Sequence, residues 1–294
     1  MVRLRFSIEL NYQIAAAGCD FIFNVHAAQT RHQSLLQENL ELSQPVLSHM
    51  YTDPVTHNRF LRIKARSGPL TLRYGATVDI SHHCSAPEQF GEVCVADLPG
   101  PVLPYLYPSR YCQSDRLHRL AVKEFGHLWQ GYARVQAIRD WVNQRVTFQS
   151  NTSTGNTSAV DTLVEQVGVC RDFAHLMIAL CRAVNIPARF ATGIDYGADP
   201  ALGPTDFHAY VEVYLAGRWY IFDPSGVAIP MGFIRLATGR DVADAAFATI
   251  FGTVQSSAPV IRIEAIADEH GRLVLPQHVG QALSTDGQDQ AAAG

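Results

Sequence analysis

The stretch Gly168-Val169-Cys170-Arg171-Asp172-Phe173-Ala174-His175 decides how the rest of the chain is read. Beyond it, Ala174, Met177, Ile178 and Cys181 recur at helical spacing, and Phe173, Leu176 and Leu180 cover much of the remaining circumference. That pattern predicts a helix buried on almost every side. Asn185-Ile186-Pro187 marks its end, because the residue before a proline is steered out of the helical region. Cys170 therefore falls on the first turn, where unpaired backbone N–H groups and partial positive charge favour a thiolate. The same N–H groups are placed to receive the oxyanion that forms when a thiolate attacks an amide carbonyl. Taken alone, a cysteine on an apolar helix is more often a small buried hydrophobe, which is the expectation for Cys181.

Two further residues lift Cys170 out of that class. His208 opens one apolar strand and Asp223 closes the next, with Val211-Glu212-Val213-Tyr214 and Trp219-Tyr220-Ile221-Phe222 folding back between them. If Ala216 and Gly217 form a two-residue turn, Leu215 faces Arg218 and Tyr210 faces Asp223. His208 then shares a sheet face with Asp223, one diagonal step away. One extra loop residue would put the two side chains on opposite faces. Cysteine, histidine and aspartate in this order suggest a nucleophile, its base and an orienting carboxylate. Apart from that arrangement, His208 reads as a strand-end histidine and Asp223 as a turn residue before Pro224. Asp172, two positions after Cys170, points off the nucleophile's face and reads as a carboxylate favoured by the helix dipole. His175 lies on the cysteine's own helix at a spacing that does not bring it over Cys170.

Working outward, the 294 residues are 47% hydrophobic and 17% charged, a globular composition that accommodates one large domain or two ordinary ones. Residues 1–98 read as a β-rich domain, with alternation in Leu4-Phe6-Ile8-Leu10 and strands at 21–25, 60–65, 70–74 and 76–80. Four prolines and a glycine between 99 and 108 suggest a connector. The second domain is expected over 109–276. It starts with two helices, around Leu117–Phe125 and Tyr132–Val142, and a third that Ser158 and Asp161 cap. A strand is expected from Arg189 to Ile194, and the loop from Asp195 to Asp206 is placed to shape substrate access. Asp241 and Asp244 predict a helix through Ile250, and 260–263 a late strand. Residues 277–294, rich in Gly, Ser, Asp, Gln and Ala, read as a disordered tail.

Six scattered cysteines fit reduced thiols better than a disulfide framework. His82-His83-Cys84 has metal-ligand chemistry, but adjacent strand side chains point to opposite faces. The net charge of −4 offers no electrostatic argument for nucleic acid or an anionic membrane as partner. No apolar run is long enough to span a bilayer and residues 1–10 alternate like a strand, so the default expectation is a cytoplasmic protein.

The blocks Gly168–Ala174, Asn185-Ile186-Pro187-Ala188-Arg189, His208-Ala209-Tyr210-Val211-Glu212-Val213 and Trp219-Tyr220-Ile221-Phe222-Asp223-Pro224 resemble those of the transglutaminase-like cysteine protease superfamily. The resemblance covers roughly 157–226, and the β-rich half is similar to the N-terminal domain of bacterial members. It implies an α+β, papain-like core with a catalytic Cys-His-Asp triad at Cys170, His208 and Asp223. Tyr210 stands where many members have tryptophan. Papain-type proteases proper fit less well, because their histidine lies about 130 residues or more beyond the cysteine. The expectation is cysteine-dependent acyl transfer on a protein or peptide substrate, without metal or organic cofactor. Hydrolysis by a peptidase or amidase is favoured by analogy, with transamidation by a transglutaminase or an idle binding module as alternatives.

Overall fold

In a computed structural model the described residues are 1–87, 90–197 and 205–287. The N-terminal strands are β1 (Val2–Ile14), β2 (Cys19–Phe23), β3 (Gln33–Leu42), β4 (Ser48–Thr52), β5 (Arg59–Ala65), β6 (Gly68–Ile80) and β7 (His83–Ser85). Strict alternation decides β1: Val2, Leu4, Phe6, Ile8, Leu10, Tyr12 and Ile14 all point into one core. The expected strands at 70–74 and 76–80 are a single strand, β6, paired along its whole length with β1. Gly68, at φ 107°, starts β6 after the chain has left β5, which belongs to another sheet.

The second half begins with α1 (Ser114–Phe125), α2 (Tyr132–Arg145), β8 (Thr147–Phe148), α3 (Ala159–Glu165), β9 (Val167–Gly168) and α4 (Cys170–Ala183). It continues with β10 (Ala188–Asp195), β11 (Phe207–Leu215), β12 (Arg218–Phe222), β13 (Phe233–Gly239) and α5 (Val242–Ala245). Last come β14 (Ala248–Phe251), β15 (Val254–Ser256), β16 (Val260–Ala265), β17 (Ala282–Ser284) and β18 (Asp286–Gly287). The sheet order β13-β10-β11-β12-β18 packs one face on α4, whose opposite side is covered by α1, α2 and α3. Enclosure on both sides is why α4 reads as apolar around its circumference. Asn185 ends this segment in the left-handed conformation (φ 64°), while the N–H of Ile186 reaches back to the carbonyl of Cys181.

Four boundaries differ from expectation. Ala248–Phe251 is a strand paired with β2 instead of helix, and α5 stops at Ala245, because pairing completes the edge of the N-terminal sheet. Strands β15 and β16 also return to pair with β1, so the β-rich module is closed by residues 248–265, from far outside 1–98. The proline-rich stretch is packed: it winds into a 3-10 segment at Gly100–Leu106, with Val102 and Tyr105 buried beside Tyr214 and Trp219. The expected tail is structured as far as it is described. Strand β17 pairs with β7 and β18 with β12; of the segment read as disorder, 288–294 lie outside the described residues. Of the 195–206 loop, 198–204 likewise lie outside them. Among the described residues no helix is long and apolar enough to cross a membrane.

Asp286 shows why the late strands matter. Arg189 and Arg235 are buried around Glu212, and both guanidiniums also bind Asp286, whose carboxyl they hold well below the usual carboxylate range although burial opposes it. Without Asp286 two buried cations would face one carboxylate. Asp286→Ala is therefore expected to lower unfolding stability by about 3 kcal/mol, read from the midpoint of a urea titration. Truncating the exposed Arg5–Glu264 pair, 3.3 Å apart, should change that midpoint by less than about 0.5 kcal/mol.

Candidate active site

The site is assembled from the N-terminus of α4, the start of β11 and the end of β12. Asp172, fully buried, accepts the N–H of Val169 (2.8 Å) through Oδ2 and the Ser153 hydroxyl (2.9 Å) through Oδ1. It thereby fixes where the helix begins. A Cβ on Gly168 would lie 2.7 Å from that of Asp172, so the turn into the helix needs glycine. The N–H groups of Cys170 and Arg171 are left without a partner among the described residues, as expected for a first turn.

Across the cleft, the hairpin has the register anticipated from the sequence. Leu215 pairs with Arg218 and Val211 with Phe222, around a turn in which Ala216 (φ 45°) and Gly217 (φ 82°) are both left-handed. His208 and Asp223 consequently meet: Nε2 lies 3.5 Å from Oδ1. That is an ion-pair contact longer than a good hydrogen bond, as apo catalytic pairs often are. Asp223 is itself held by the Ser225 N–H and hydroxyl (2.9 and 2.6 Å) on Oδ1 and the Ala228 N–H (3.0 Å) on Oδ2. Asn143 of α2 anchors the same turn through the carbonyls of Pro224 and Ser225. Burial would raise the Asp223 pKa, but His208, Ser225 and Ala228 hold it below its ordinary value.

Cys170 is half-buried, its sulfur 4.0 Å from the Phe207 carbonyl oxygen, and it lines the same cleft as His208. Burial alone would push the His208 pKa down. The negative charge available on Cys170 and Asp223 outweighs it and raises the value well above 6.5, which favours the imidazolium. The three groups expected from the sequence are thus brought together. Cys112 and Cys181 are fully buried thiols whose pKa burial drives up, to about 12 for Cys112. His175 does not line the cleft. It accepts the Val242 N–H (3.2 Å), stacks on Tyr111, and is pushed well below its ordinary pKa by burial.

The cleft holds about 500 Å³ and is bordered by Cys170, His208, Asp195, Asp206 and the apolar side chains Phe148, Val227, Val242 and Phe247. Stacking of Phe207 on Phe247 (4.1 Å between centroids) forms part of the wall. Asp195, assigned from the sequence to a loop, instead closes β10 and is 2% exposed. Gly193 pairs with His208, so Asp195, two residues further along β10, lies on His208's face. Among the described residues no cluster of three or more His, Cys, Asp or Glu side chains is arranged to hold a metal.

Comparison with known proteins follows the same lines. Residues 122–224, which contain Cys170, His208 and Asp223, match the transglutaminase-like superfamily, and residues 2–101 match the bacterial transglutaminase N-terminal domain. A crystal structure from Cytophaga hutchinsonii, described as a "putative cysteine protease", shares 40% identity at a TM-score of 0.87. The similarity covers 96% of this chain and 97% of that one. The chain belongs to the transglutaminase-like superfamily. An uncharacterised Mycobacterium leprae protein, ML0607, is 32% identical over 117 residues, 38% of this chain. The chain spans less than half of that relative, 42% of its length. YebA of Bacillus subtilis is 26% identical over 143 residues, 19% of its length. Within this superfamily member the α4 and β11–β12 elements that carry the three residues fall inside the matched core.

Gly193 gives a stability test of the site. It pairs with His208 on β11, and a Cβ there would sit 2.0 Å from the Ile234 carbonyl oxygen and 2.2 Å from the Phe233 ring. Gly193→Ala is expected to destabilise the fold by about 1 to 3 kcal/mol. It should also lower the reactivity of Cys170 by displacing His208, read by alkylation rate. A substitution at open Gly217, next to nothing within 4 Å but at φ 82°, should lower stability without changing that reactivity.

Proposed function

We propose that this protein is a cysteine-dependent acyl-transfer enzyme that cleaves amide bonds in protein or peptide substrates. The observation that carries the reading is a buried imidazole that contacts Asp223, borders one cleft with Cys170 and is biased toward its cationic form. An imidazolium is the counter-charge that a thiolate needs in order to exist near neutral pH. In the proposed reaction the Cys170 thiolate attacks the carbonyl carbon and forms the C–S bond. The carbonyl oxygen takes the negative charge between the N–H groups of Cys170 and Arg171. The C–N bond then breaks as His208 gives its proton to the departing amine, leaving a thioester. Water, losing a proton to His208, attacks the thioester, the C–S bond breaks, and the carboxylic acid leaves with the thiolate restored. Asp223 orients the imidazole and offsets its charge throughout.

The apolar wall of the cleft, with Phe207, Phe247 and Val227, supports an apolar segment beside the scissile bond. If an amine replaces water in the second step, the same intermediate yields a transamidation product, and only the acceptor distinguishes the two outcomes.

At pH 6, iodoacetamide is expected to label Cys170 faster than exposed Cys84 and Cys94, and His208→Ala should remove that advantage. With an unstructured protein substrate and a primary amine present, mass spectrometry should find cleaved fragments and no amine-linked adducts. Cys170→Ala should abolish cleavage and His208→Ala should reduce it by on the order of 1,000-fold or more. Adducts in place of fragments would make the protein a transglutaminase. A Cys170 no more reactive than Cys84, with no product of either kind, would leave a binding module.

A further inference from the structure

We propose that Asp195 and Tyr210 form a positioning pair for His208: Asp195 anchors the Tyr210 hydroxyl, fixing the ring that braces the imidazole, and presents a second carboxyl to the His208–Asp223 couple. The proposal rests on the reading of His208 as the base that serves Cys170.

The Tyr210 hydroxyl donates to Asp195 Oδ1 at 2.8 Å, and both residues are buried. The Tyr210 ring meets His208 edge-on, with centroids 4.6 Å apart and planes 68° apart, while Phe233 closes its other side at 4.0 Å. The ring is therefore confined between Phe233 and the imidazole, and its hydroxyl fixes its in-plane position. Among the described residues Asp195 Oδ2 has a single long contact, the Ile229 N–H at 3.4 Å, in a residue that borders the same cleft as Cys170. A buried carboxyl so poorly served is expensive as structure alone.

The ionisable groups that face Asp195 are His208 and Tyr210 on β11, Asp223 at the end of β12, and Cys170 and Asp206 around the cleft; β13 contributes Phe233 and, opposite Gly193, Arg235, whose charge is taken up by Glu212 and Asp286. Burial, reinforced by the Asp223 charge, pushes the Asp195 carboxyl up to about 7, while His208 and the Tyr210 hydroxyl restrain it. Asp195 thus changes charge in the pH range in which a thiolate–imidazolium pair has to work. Ionisation of Asp195 adds a negative charge near the imidazole and favours the imidazolium.

The test uses the full chain with isotopically labelled histidine, with the His208 resonance assigned by its loss in His208→Ala. Imidazole shifts are followed from pH 5 to 10 in wild type, Asp195→Asn and Tyr210→Phe, and Cys170 alkylation is timed in parallel. In wild type the His208 signal is expected to show a step near pH 7 besides its own titration. Asp195→Asn should remove the step, and Tyr210→Phe should move it to higher pH, because the hydroxyl no longer stabilises the ionised carboxylate. Alkylation of Cys170 at pH 6.5 should slow by about three- to tenfold in either variant, the effect of losing one hydrogen bond of ordinary net worth. A His208 titration unchanged by Asp195→Asn, with Cys170 still labelled quickly in wild type, overturns the proposal alone. Wild-type Cys170 reacting no faster than Cys84 overturns the active-site reading and the proposal with it. If Asp195→Asn does not fold, Tyr210→Phe, which deletes only an oxygen, decides the matter: an unmoved step overturns the pair.

Discussion

Everything in the candidate site depends on one buried carboxylate closing the start of a helix. Asp172 folds back onto the Val169 N–H and also takes the Ser153 hydroxyl, so α4 cannot begin a residue earlier or later. Because α4 is enclosed by the sheet on one side and by helices on the others, its N-terminal end is where a half-buried Cys170 can meet the cleft. Arg171, bound to Ser153 and to the Thr154 carbonyl, ties the polar loop before the helix to the same point. A shift of that cap would rotate Cys170 by about 100° per residue and take the sulfur out of the site.

The second constraint is register. Gly193 opposite His208, and the two left-handed residues of the β11–β12 turn, bring an imidazole and a carboxylate to one end of one sheet face. The remaining polar residues of that face are not idle. Tyr210 and Asp195 lie beside the site, while Glu212, Arg189 and Arg235 form a neutralised cluster at the other end, completed by Asp286. Ala191, Ile221 and Phe233 form an apolar patch with Tyr210 on this face. Burial of this many ionisable groups is tolerable because Arg189 and Arg235 pair with Glu212 and Asp286, and Asp223 is hydrogen-bonded by Ser225 and Ala228.

The N-terminal module is bound into the molecule by exchanged segments. Gln33 holds the backbone of Arg235 through both ends of its amide, and Asn58 does the same for Thr238. Strands β14 to β16 leave the second half to complete the sheets of the first, and Ile194, Ile234 and Leu236 of the central sheet share the N-terminal core. The β-rich module therefore buttresses the outer face of β13 and β10, the second of which pairs with the strand that bears His208.

The sequence by itself determined whatever is encoded by local periodicity and short-range steric rules. The extent of α4, its asparagine and proline terminator, the alternation of β1, and the parity that puts His208 and Asp223 on one face all follow from side-chain spacing. Only the tertiary structure decided the rest. Ala248–Phe251 carries helix-compatible residues and an aspartate cap before it, yet becomes a strand because an open edge of β2 is available to pair with it. The last strands have too few apolar residues to announce themselves, and are ordered by partners contributed from residues 83–85, 189, 218–219 and 235. Asp195 gained its place beside the site in the same way. Its neighbours Tyr210 and Ile229 are 15 and 34 residues away, and no local pattern records a contact made across a sheet.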